Sequence, residues 1–230
     1  MFKSILEKMF NAAMALNRSN ILDLIEIAPD AKILDLGCDT GSWSRALAQK
    51  ARSRQLFGIE VVPDRASIAS QNGVQVTMAD ITNGLPYADA SFDIIHANQV
   101  IEHLSDLDLF MAEIYRVLKK GGYVILSTEN GSSWHNIFAA VMGWQIFSLT
   151  NMSDRSAGIG NPLAVHRHNT GHMKSWTHKT IFNFRGLVEF VGAHGFSDIK
   201  VSGAGYYPFP ACFGKIDKRH AHFITIRGTK

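Results

Sequence analysis

The chain has few of the features that define a function class on their own. Its 230 residues include two cysteines, Cys38 and Cys212, which exclude a framework of several disulfides and a zinc site built from cysteines. Its apolar runs all fall short of the roughly 18 residues of a membrane span. The first residues mix charged and apolar side chains, unlike a secretory signal. The formal net charge of +3 gives little reason to expect nucleic acid as a partner. A globular cytoplasmic protein is the default expectation.

What the chain does have is enough apolar material for one packed domain. Hydrophobic residues make up 46% of the sequence and charged residues 19%, which is typical of a globular protein. A chain of this length suits one domain with a substantial core. We therefore predict a single domain over residues 1–230, with an N-terminal helical segment at 1–30 and an inserted segment at 131–177.

A glycine-bearing turn follows the first predicted strand. The stretch KILDLGCDTGSW, residues 32–43, passes from an apolar strand through Gly37 and Gly41 into a helical pattern that begins at Ser42. Such a strand, turn and helix N-terminus bring backbone N–H groups close to a ligand. The turn lacks the G-x-G-x-x-G spacing of dinucleotide-binding proteins, which disfavours a nicotinamide-dependent oxidoreductase.

Acidic residues end the next two predicted strands. Glu60 closes the strand at 55–60 and lies about 20 residues past the turn, the spacing at which a carboxylate accepts hydrogen bonds from ribose hydroxyls. Val61 would then offer an apolar face to an adenine ring. Asp80 closes the third strand, residues 74–81. The alternatives are a capping or solvated role for Glu60 and ordinary turn chemistry for Asp80.

The order of the predicted elements places these residues together. Strands and helices alternate through residue 130, which predicts a doubly wound parallel sheet with right-handed crossovers. Ligands of such sheets bind beyond the carboxyl ends of the strands. Gly37, Glu60, Asp80 and Asn98 all fall at such ends, so we expect one common binding site at this edge of the sheet.

The two ends of the predicted sheet region carry additional segments. Residues 2–26 show apolar positions at helical spacing, which predicts one or two amphipathic helices that pack on the domain, cover its cleft or lie on a membrane surface. Residues 131–177 are rich in aromatic side chains, and we expect them to recognise the substrate; an ordinary helix at 133–143 with a surface loop is the alternative. A further helix is predicted from Ser175 to about His194. The expected substrate-binding residues are Trp134, Trp144, His172 and Trp176.

Histidines are frequent in the inserted segment and raise the question of a metal site. His166, His168 and His172 lie close together in the sequence, but carboxylates at ligand spacing are not near them. The sequence therefore predicts no metal centre there.

Several motifs, in order, resemble those of one enzyme family. DLGCDTG (35–41), LPYADASFD (85–93), EHL (102–104) and LKKGGYVILSTEN (118–130) are similar to the motifs of class I, Rossmann-like S-adenosylmethionine-dependent methyltransferases, in particular the type 11 or UbiE-like small-molecule group. The resemblance implies an α/β fold with a doubly wound, mostly parallel seven-stranded sheet. It further implies an antiparallel last strand, helices on both faces and an aromatic-rich insertion after strand five.

The resemblance also implies a cofactor and its contacts. The cofactor would be S-adenosyl-L-methionine, with S-adenosyl-L-homocysteine as the product. Asp80 would accept a hydrogen bond from the adenine amino group, and the Ile81 N–H would reach the ring. The expected cofactor-binding residues are Asp35, Leu36, Gly37, Cys38, Asp39, Gly41, Trp43, Glu60, Val61, Asp80, Ile81 and Asn98.

The turn departs from the family pattern at one position. Asp39 stands where related sequences have their middle glycine. Aspartate tolerates a positive φ better than most residues do, so the turn can keep its shape. Its carboxylate either pairs with the ammonium group of the cofactor or crowds the cofactor.

The acceptor is less defined by the sequence than the cofactor is. The N/D-P-P-Y/F segment of many amino-methyltransferases and the Pro-Cys nucleophile of cytosine methylation are both missing after strand four. This favours O-methylation of a small-molecule or glycan-like acceptor. A quinone, phenol, RNA or protein acceptor and a non-catalytic cofactor-binding protein are the alternatives. His103 is the candidate general base, because a neutral imidazole accepts a proton near pH 7; a purely structural hydrogen bond is the other interpretation.

Overall fold

The computed structural model describes residues 2–167 and 176–230, with side chains from residue 5 onward. Its helices and strands alternate along the first half of the chain. The helices are α1 (Phe2–Asp23), α2 (Ser42–Ala51), α3 (Pro63–Gln71), α4 (Leu107–Val117), α5 (Trp134–Val141), α6 (Phe184–Ala193) and α7 (Phe213–Ile216). The strands are β1 (Lys32–Leu36), β2 (Gln55–Glu60), β3 (Gln75–Met78), β4 (Phe92–Asn98), β5 (Leu118–Glu129), β6 (Ser197–Ala204) and β7 (Phe223–Thr229).

The strands form one seven-stranded sheet in the order β3-β2-β1-β4-β5-β7-β6. The pairs among β1 to β5 are parallel, whereas β7 runs antiparallel to both β5 and β6. The chain starts in the middle of the sheet, moves outward to β3, and returns to place β4 on the other side of β1. This reversal creates a crevice at the carboxyl ends of β1 and β4. The predicted fold class is confirmed.

Both faces of the sheet are covered by helices. Neighbouring residues of a strand point to opposite faces, so Ile33 of β1 packs into one apolar cluster and Leu34 into the other. The first cluster includes Leu47 of α2 and the end of α1, and the second includes Phe110 of α4 and Leu187 of α6. All of these side chains are at most 1% exposed. The two-sided burial explains why β1 and β4 read as nearly continuous apolar runs.

The N-terminal segment forms one helix of 22 residues. The fully buried Ala13 and Ile21 pack α1 against the domain, and the buried Asn20 donates to the Gly203 carbonyl of β6 at 3.1 Å. Ile5 and Phe10 stay exposed on its outer side. Among the described helices, none is both long enough and apolar enough to span a membrane.

The helix predicted from Ser175 begins later than the sequence suggests. Ser175 itself lies outside the described residues, and α6 starts only at Phe184. The residues before it bind other elements through their backbone. Lys179 N–H donates to the Glu102 carbonyl, and the Phe182 carbonyl accepts from Gly131 N–H. These tertiary hydrogen bonds hold the chain extended where its local pattern favours a helix.

Candidate active site

The glycine turn lies where the crevice of the sheet opens. Gly37 and Gly41 adopt φ of 72° and 74°, and Asp39 between them has φ of 49°, so the turn depends on left-handed conformations. The amides of Gly37 and Cys38 both donate to the Ile59 carbonyl, which anchors the turn on β2. The N-cap residue of α2 is Gly41, which has no side chain to cap the helix. Its first N–H groups are therefore suited to an anionic group such as a carboxylate.

The turn has no room for side chains at its two glycines. A Cβ on Gly37 would lie 3.1 Å from Cγ2 of Val100, and one on Gly41 would lie 2.8 Å from Cγ2 of Val74. The bare backbone at Gly37 borders the crevice between β1 and the residues that follow β4. A ligand there would approach main-chain atoms directly.

Glu60 organises both the turn and the loop that follows β2. Its Oε2 accepts from Asp39 N–H at 2.9 Å, and its Oε1 accepts from the N–H groups of Val61 and Val62 at 3.0 and 2.9 Å. The residue is 8% exposed, and its three accepted hydrogen bonds leave one acceptor site, on Oε2. Val61 is 50% exposed beside it. The pair thus offers polar acceptors next to an accessible apolar side chain.

Asp80 follows β3 and caps a short 3-10 turn, Ile81–Asn83. Its Oδ1 accepts from the N–H and the hydroxyl of Thr82 at 2.9 and 2.7 Å, and these hydrogen bonds lower its pKa. The carboxylate is exposed and ionised near neutral pH. The side-chain bonds use one oxygen, so the other retains its lone pairs for a donor such as an amino group.

Asp39 pairs with a residue that the sequence reading had not singled out. Its carboxylate forms an ion pair with the Arg65 guanidinium, and the Arg65 Cζ lies 5.1 Å from the centre of the Trp176 ring. Arg65 belongs to α3 and Trp176 to the end of the inserted segment. The ion pair therefore connects the glycine turn to the segment expected to recognise substrate.

Asp35, Trp43 and Cys38 support the turn from behind it. Asp35 is 2% exposed, and its carboxylate binds the hydroxyl of Ser44 at 2.5 Å and Nδ1 of His96 at 2.7 Å. Trp43 Nε1–H donates to Nε2 of the same imidazole at 3.5 Å. Burial, with the nearby Asp35, raises the pKa of the Cys38 thiol to about 12, so it is no nucleophile at neutral pH. Leu36 is fully buried.

Helix α1 contributes polar residues to the same edge of the sheet. The Asn17 amide donates to Oδ1 of Asn98 at 3.2 Å and to the Ser127 hydroxyl at 2.8 Å. The Arg18 guanidinium lies 5.5 Å from the centre of the Trp43 ring. Sequence reasoning missed Asn17. Its importance shows only in the structure, where the asparagine is fully buried and therefore needs hydrogen-bond partners.

Beyond β4, three side chains that can bind protons or metal ions meet; we call Glu102, His103 and His178 the His–Glu cluster. The two imidazole rings are 4.8 Å apart, and one ligand atom from each of the three residues lies within 4.8 Å of the other two. Burial raises the pKa of Glu102 to about 8. Burial, with the neighbouring His178, lowers the pKa of His103 to about 4. Glu102 and His178 were not predicted as site residues.

Residues 176–180, the edge segment, join this cluster to the side of the crevice that carries Gly37, Glu60 and Asp80, which we call the glycine-turn side. The N–H groups of Lys179 and Thr180 both donate to the Glu102 carbonyl. The positive charge of Lys179 contributes to the lowered pKa of Asp80. Trp176, at the start of the segment, contacts Arg65. The segment thus runs along the crevice from α3 to the His–Glu cluster.

The tryptophans predicted to bind substrate contact different partners. Trp134 Nε1–H donates to the Tyr206 hydroxyl at 2.7 Å, and its ring stacks on His220 at 4.3 Å. Trp144 contacts Phe138 edge to face at 5.8 Å. Of these three tryptophans, Trp176 is the one that contacts Arg65, the partner of Asp39 in the glycine turn. His172, the fourth predicted residue, lies outside the described part of the chain.

Comparison with known proteins identifies similar sequences. A family model described as "Methyltransferase domain" matches residues 34–126. The chain is 31% identical to demethylmenaquinone methyltransferase of Lactiplantibacillus plantarum over 205 residues, which cover 86% of this chain and 83% of that protein. It is 36% identical to malonyl-[acyl-carrier protein] O-methyltransferase of Methylovorus over 130 residues, 52% of this chain and 43% of that protein. The chain spans about half the length of several such relatives.

Solved structures with similar folds include methyltransferases. A Thermotoga maritima methyltransferase, described as a possible histamine N-methyltransferase, is 21% identical with a TM-score of 0.63 and full coverage of both chains. Phosphoethanolamine N-methyltransferase 2 of Haemonchus contortus, crystallised with S-adenosyl-L-methionine, is 15% identical with a TM-score of 0.61. The alignment covers 93% of this chain and 52% of that one. At these identities the likeness concerns the fold.

Proposed function

Because the chain belongs to the class I S-adenosylmethionine-dependent methyltransferases, we propose that it methylates a hydroxyl oxygen of a small-molecule or glycan-like acceptor. The cofactor supplies an electrophilic methyl group on its sulfonium. The task of the chain is to orient the acceptor oxygen and to accept or release its proton. The observation that carries this proposal is the His–Glu cluster, which places proton-binding side chains beside the crevice of the sheet.

The residues at the crevice fit this cofactor by their chemistry. We assign the ribose to Glu60, because its carboxylate combines an ordered position with one remaining acceptor site on Oε2, which one ribose hydroxyl would use. Val61, Asp80 and Ile81 would hold the adenine, through apolar contact and hydrogen bonds. The bare backbone of the turn would hold the methionine end. Asp35, Leu36, Cys38, Asp39, Trp43 and Asn98 complete this assignment around Gly37 and Gly41.

Two of these assignments take a specific form. Asp35 is bound to Ser44 and His96, so its proposed role is to support the turn and α2. Asp39 is paired with Arg65, which leaves its carboxylate less available for the ammonium group of the cofactor. We therefore propose that Asp39, through Arg65, fixes the opening of the crevice beside the glycine turn and does not bind the ammonium group of the cofactor.

His103 stays the candidate for receiving the acceptor proton. Its Nδ1 lies 3.1 Å from the Thr177 carbonyl, a contact that requires the proton on Nδ1 and leaves the Nε2 lone pair available. Because Thr177 belongs to the edge segment, the position of His103 depends on that segment. Trp134, Trp144, His172 and Trp176 are proposed to contact the acceptor.

A quinone or phenol is the second candidate acceptor. It is favoured by the long match to a demethylmenaquinone methyltransferase, which covers 86% of this chain. An aromatic acceptor would also suit Trp176, whose ring lies against Arg65 beside the crevice. A nucleic acid is disfavoured by the net charge of +3.

The test is a labelled-methyl transfer screen on the purified chain. Calorimetry first compares S-adenosylmethionine, S-adenosylhomocysteine and NAD; we expect the first two to bind. Sugars, phenols, quinols, carboxylic acids, amines and RNA are then offered as acceptors. Label that resists alkali but is released as methyl iodide by hot hydriodic acid indicates a methyl ether and supports the proposal. Label released by alkali indicates an ester, label that resists both treatments indicates a methyl group on carbon, and either result would contradict a hydroxyl acceptor. Label on RNA or on an amine, or binding of NAD alone, would contradict the proposal.

The role of His103 is tested with a matched pair of variants. His103→Gln should lower kcat about 100-fold or more, as expected for loss of a general base, with unchanged affinity for S-adenosylmethionine. His166→Gln is the control, because His166 is an exposed histidine of the inserted segment. Equal turnover of both variants would remove His103 from the mechanism.

A further inference from the structure

We propose that the His–Glu cluster is a binding site for one divalent metal ion, with zinc as the best match to its ligands. Binding of the ion does not depend on the proposed function. Its use, which we place in activating the acceptor hydroxyl, rests on that function. The sequence predicted no metal centre, because its histidine-rich stretch has no neighbouring carboxylates.

The three side chains form a ligand set that zinc commonly uses. Two histidines and one glutamate supply two nitrogens and one oxygen, the set found in several catalytic zinc sites. Their ligand atoms lie within 4.8 Å of one another. Tetrahedral zinc with ordinary bond lengths would place them about 3.4 Å apart, so side-chain movements of about 1 Å would complete the site.

Outer hydrogen bonds already orient each ligand. Nδ1 of His103 lies 3.1 Å from the Thr177 carbonyl, and Nδ1 of His178 lies 2.6 Å from the Ser148 carbonyl. A carbonyl can only accept, so both imidazoles carry their proton on Nδ1 and leave Nε2 free to bind a metal ion. This is the arrangement that metal-binding histidines almost always have. Two surface histidines without a common partner would not both need a proton held on Nδ1 by a carbonyl.

Glu102 shows the clearest sign of a missing partner. The residue is 1% exposed, and its Oε2 accepts from the Thr128 hydroxyl at 3.0 Å. Its Oε1 is fully buried and has no hydrogen-bond partner among the described residues. Buried polar atoms are seldom left unpaired, because desolvation without a new bond is costly. A cation held jointly with the two histidines would satisfy this oxygen.

Three protein ligands would leave a fourth position for an exchangeable oxygen. A hydroxyl bound there would become more acidic, as metal-bound water does. The O–H bond of the acceptor would break, its electron pair would stay on the acceptor oxygen, and the proton would leave to water. His103 would then act as a ligand and not as a free base. Both roles use Nε2, so the general-base role proposed above applies to His103 only in the metal-free chain.

The direct test is metal binding to the full chain after treatment with a chelator. Zinc is titrated by calorimetry, and cobalt is added to a second sample as a spectroscopic probe. We expect one equivalent of zinc, and visible cobalt bands with the intensity of a tetrahedral site. No binding, or cobalt bands of an octahedral ion with water ligands, would overturn the proposal.

Variants locate the site. Glu102→Gln, His103→Gln and His178→Gln should each weaken zinc binding at least tenfold and remove the tetrahedral cobalt bands. Thr128→Val keeps all three ligands but removes an outer hydrogen bond, so we expect a loss of about 10-fold. His166→Gln should leave binding unchanged. Equal affinity in the wild type and the three ligand variants would place the metal elsewhere and overturn the assignment.

Thermal unfolding separates loss of a ligand from loss of the fold. Zinc should raise the Tm of the wild type and of His166→Gln, because it binds the folded state. In the ligand variants Tm should not respond to zinc, while circular dichroism without metal matches the wild type. A ligand variant that is folded and still stabilised by zinc would contradict the proposal.

Calorimetry with S-adenosylmethionine on the same sample separates this proposal from the proposed function. Cofactor binding without zinc binding would overturn the metal site alone. Zinc binding that requires the three ligands, in a chain that transfers no methyl group, would overturn the function and support the metal site. When both hold, a chelator should lower turnover without weakening cofactor binding.

Discussion

The two sides of the crevice are built in different ways. On the glycine-turn side, the Glu60 carboxylate accepts hydrogen bonds from the N–H group of Asp39, 21 residues away, and from those of the next two residues, Val61 and Val62. On the side of the His–Glu cluster, the partners are far apart in the chain: 26 residues from Glu102 to Thr128 and 74 from His103 to Thr177. On the first side Glu60 accepts from backbone N–H groups, whereas on the second side the titratable side chains themselves meet, from two segments that only the folded chain brings together.

This difference leads to opposite expectations for mutations. Substitutions on the glycine-turn side should change the shape of the turn and the affinity for S-adenosylmethionine together. Substitutions in the His–Glu cluster should change turnover and metal binding and leave cofactor affinity intact. A turn variant that changes turnover alone, or a His–Glu cluster variant that weakens cofactor binding, would contradict this comparison.

The largest effect is expected at Glu60. Glu60→Ala removes an acceptor of three backbone N–H groups as well as the proposed contact to ribose. We expect Kd for S-adenosylmethionine to rise about 100-fold, or about 2.7 kcal/mol, because hydrogen bonds to a buried charge are strong. Calorimetry measures this. Glu60→Gln should be intermediate, since an amide keeps one acceptor oxygen.

Glu189→Ala is the matched control, because Glu189 is an exposed carboxylate of α6. It should change Kd less than twofold. If Glu60→Ala also bound the cofactor with wild-type affinity, both the ribose assignment and the central role of Glu60 in the turn would be wrong.

The second prediction compares two glycines with similar backbones. Gly41 and Gly73 both have positive φ, but a Cβ on Gly41 would meet Val74 and Ala69 within about 3 Å, whereas one on Gly73 would meet nothing within 4 Å. Gly41→Ala should lower the free energy of unfolding by about 2–4 kcal/mol, from backbone strain and overpacking. Gly73→Ala should cost about 1 kcal/mol, from strain alone. Urea unfolding measures both; equal losses would show that close packing at the turn is unimportant.

The sequence predicted where Gly37, Glu60 and Asp80 lie in the sheet, and it did so for a physical reason. Strand periodicity, a turn that needs glycine and an acid at a strand end are local patterns, and the strand order follows from alternation with helices. Gly37, Glu60 and Asp80 could therefore be assigned to one edge of the sheet before the structure was known. The antiparallel β7 came from the family resemblance.

The other side could not be read in this way. No local pattern connects His178 to Glu102, because the edge segment that joins them is held by backbone bonds to distant residues. The same bonds keep residues before Phe184 extended, against their helical pattern. Asn17 likewise reaches Asn98 only because α1 packs across the sheet. Arg65 gave no signal, since a charged residue on a predicted helix is ordinarily exposed.

The third prediction tests a side-chain network that fixes the loop after β3. Glu113 accepts from Leu85 N–H at 2.7 Å and from the Arg116 guanidinium, and Arg116 also donates to the carbonyls of Leu85 and Tyr87. The hydrogen bonds from Arg116, the largest cause, hold the pKa of Glu113 at about 2. Glu113→Gln should lower the free energy of unfolding at neutral pH by about 1–2 kcal/mol.

The pH dependence gives this prediction its sign. A lowered pKa means that the ionised carboxylate stabilises the fold above its unfolded value of 4.5, and that this stabilisation is lost as the pH falls towards about 2. The wild type and Glu113→Gln should therefore converge as the pH falls from neutral to about 3. Glu7→Gln, at an exposed position of α1, should follow the wild type throughout. A constant difference between Glu113→Gln and the wild type would contradict the assignment.

The smallest effect is expected at Asp39, and it distinguishes the two interpretations of its carboxylate. Asp39 and Arg65 are partly exposed, with 55% and 33% of their side chains accessible, so their ion pair contributes little to stability. Asp39→Gly removes the carboxylate and relieves a positive φ of 49°, two small effects of opposite sign. We expect Kd for S-adenosylmethionine to change less than threefold. A rise of tenfold or more would show that the carboxylate binds the ammonium group, and a similar fall would show that it crowds the cofactor. Arg65→Gln should give the same small change if Asp39 acts only through this pair.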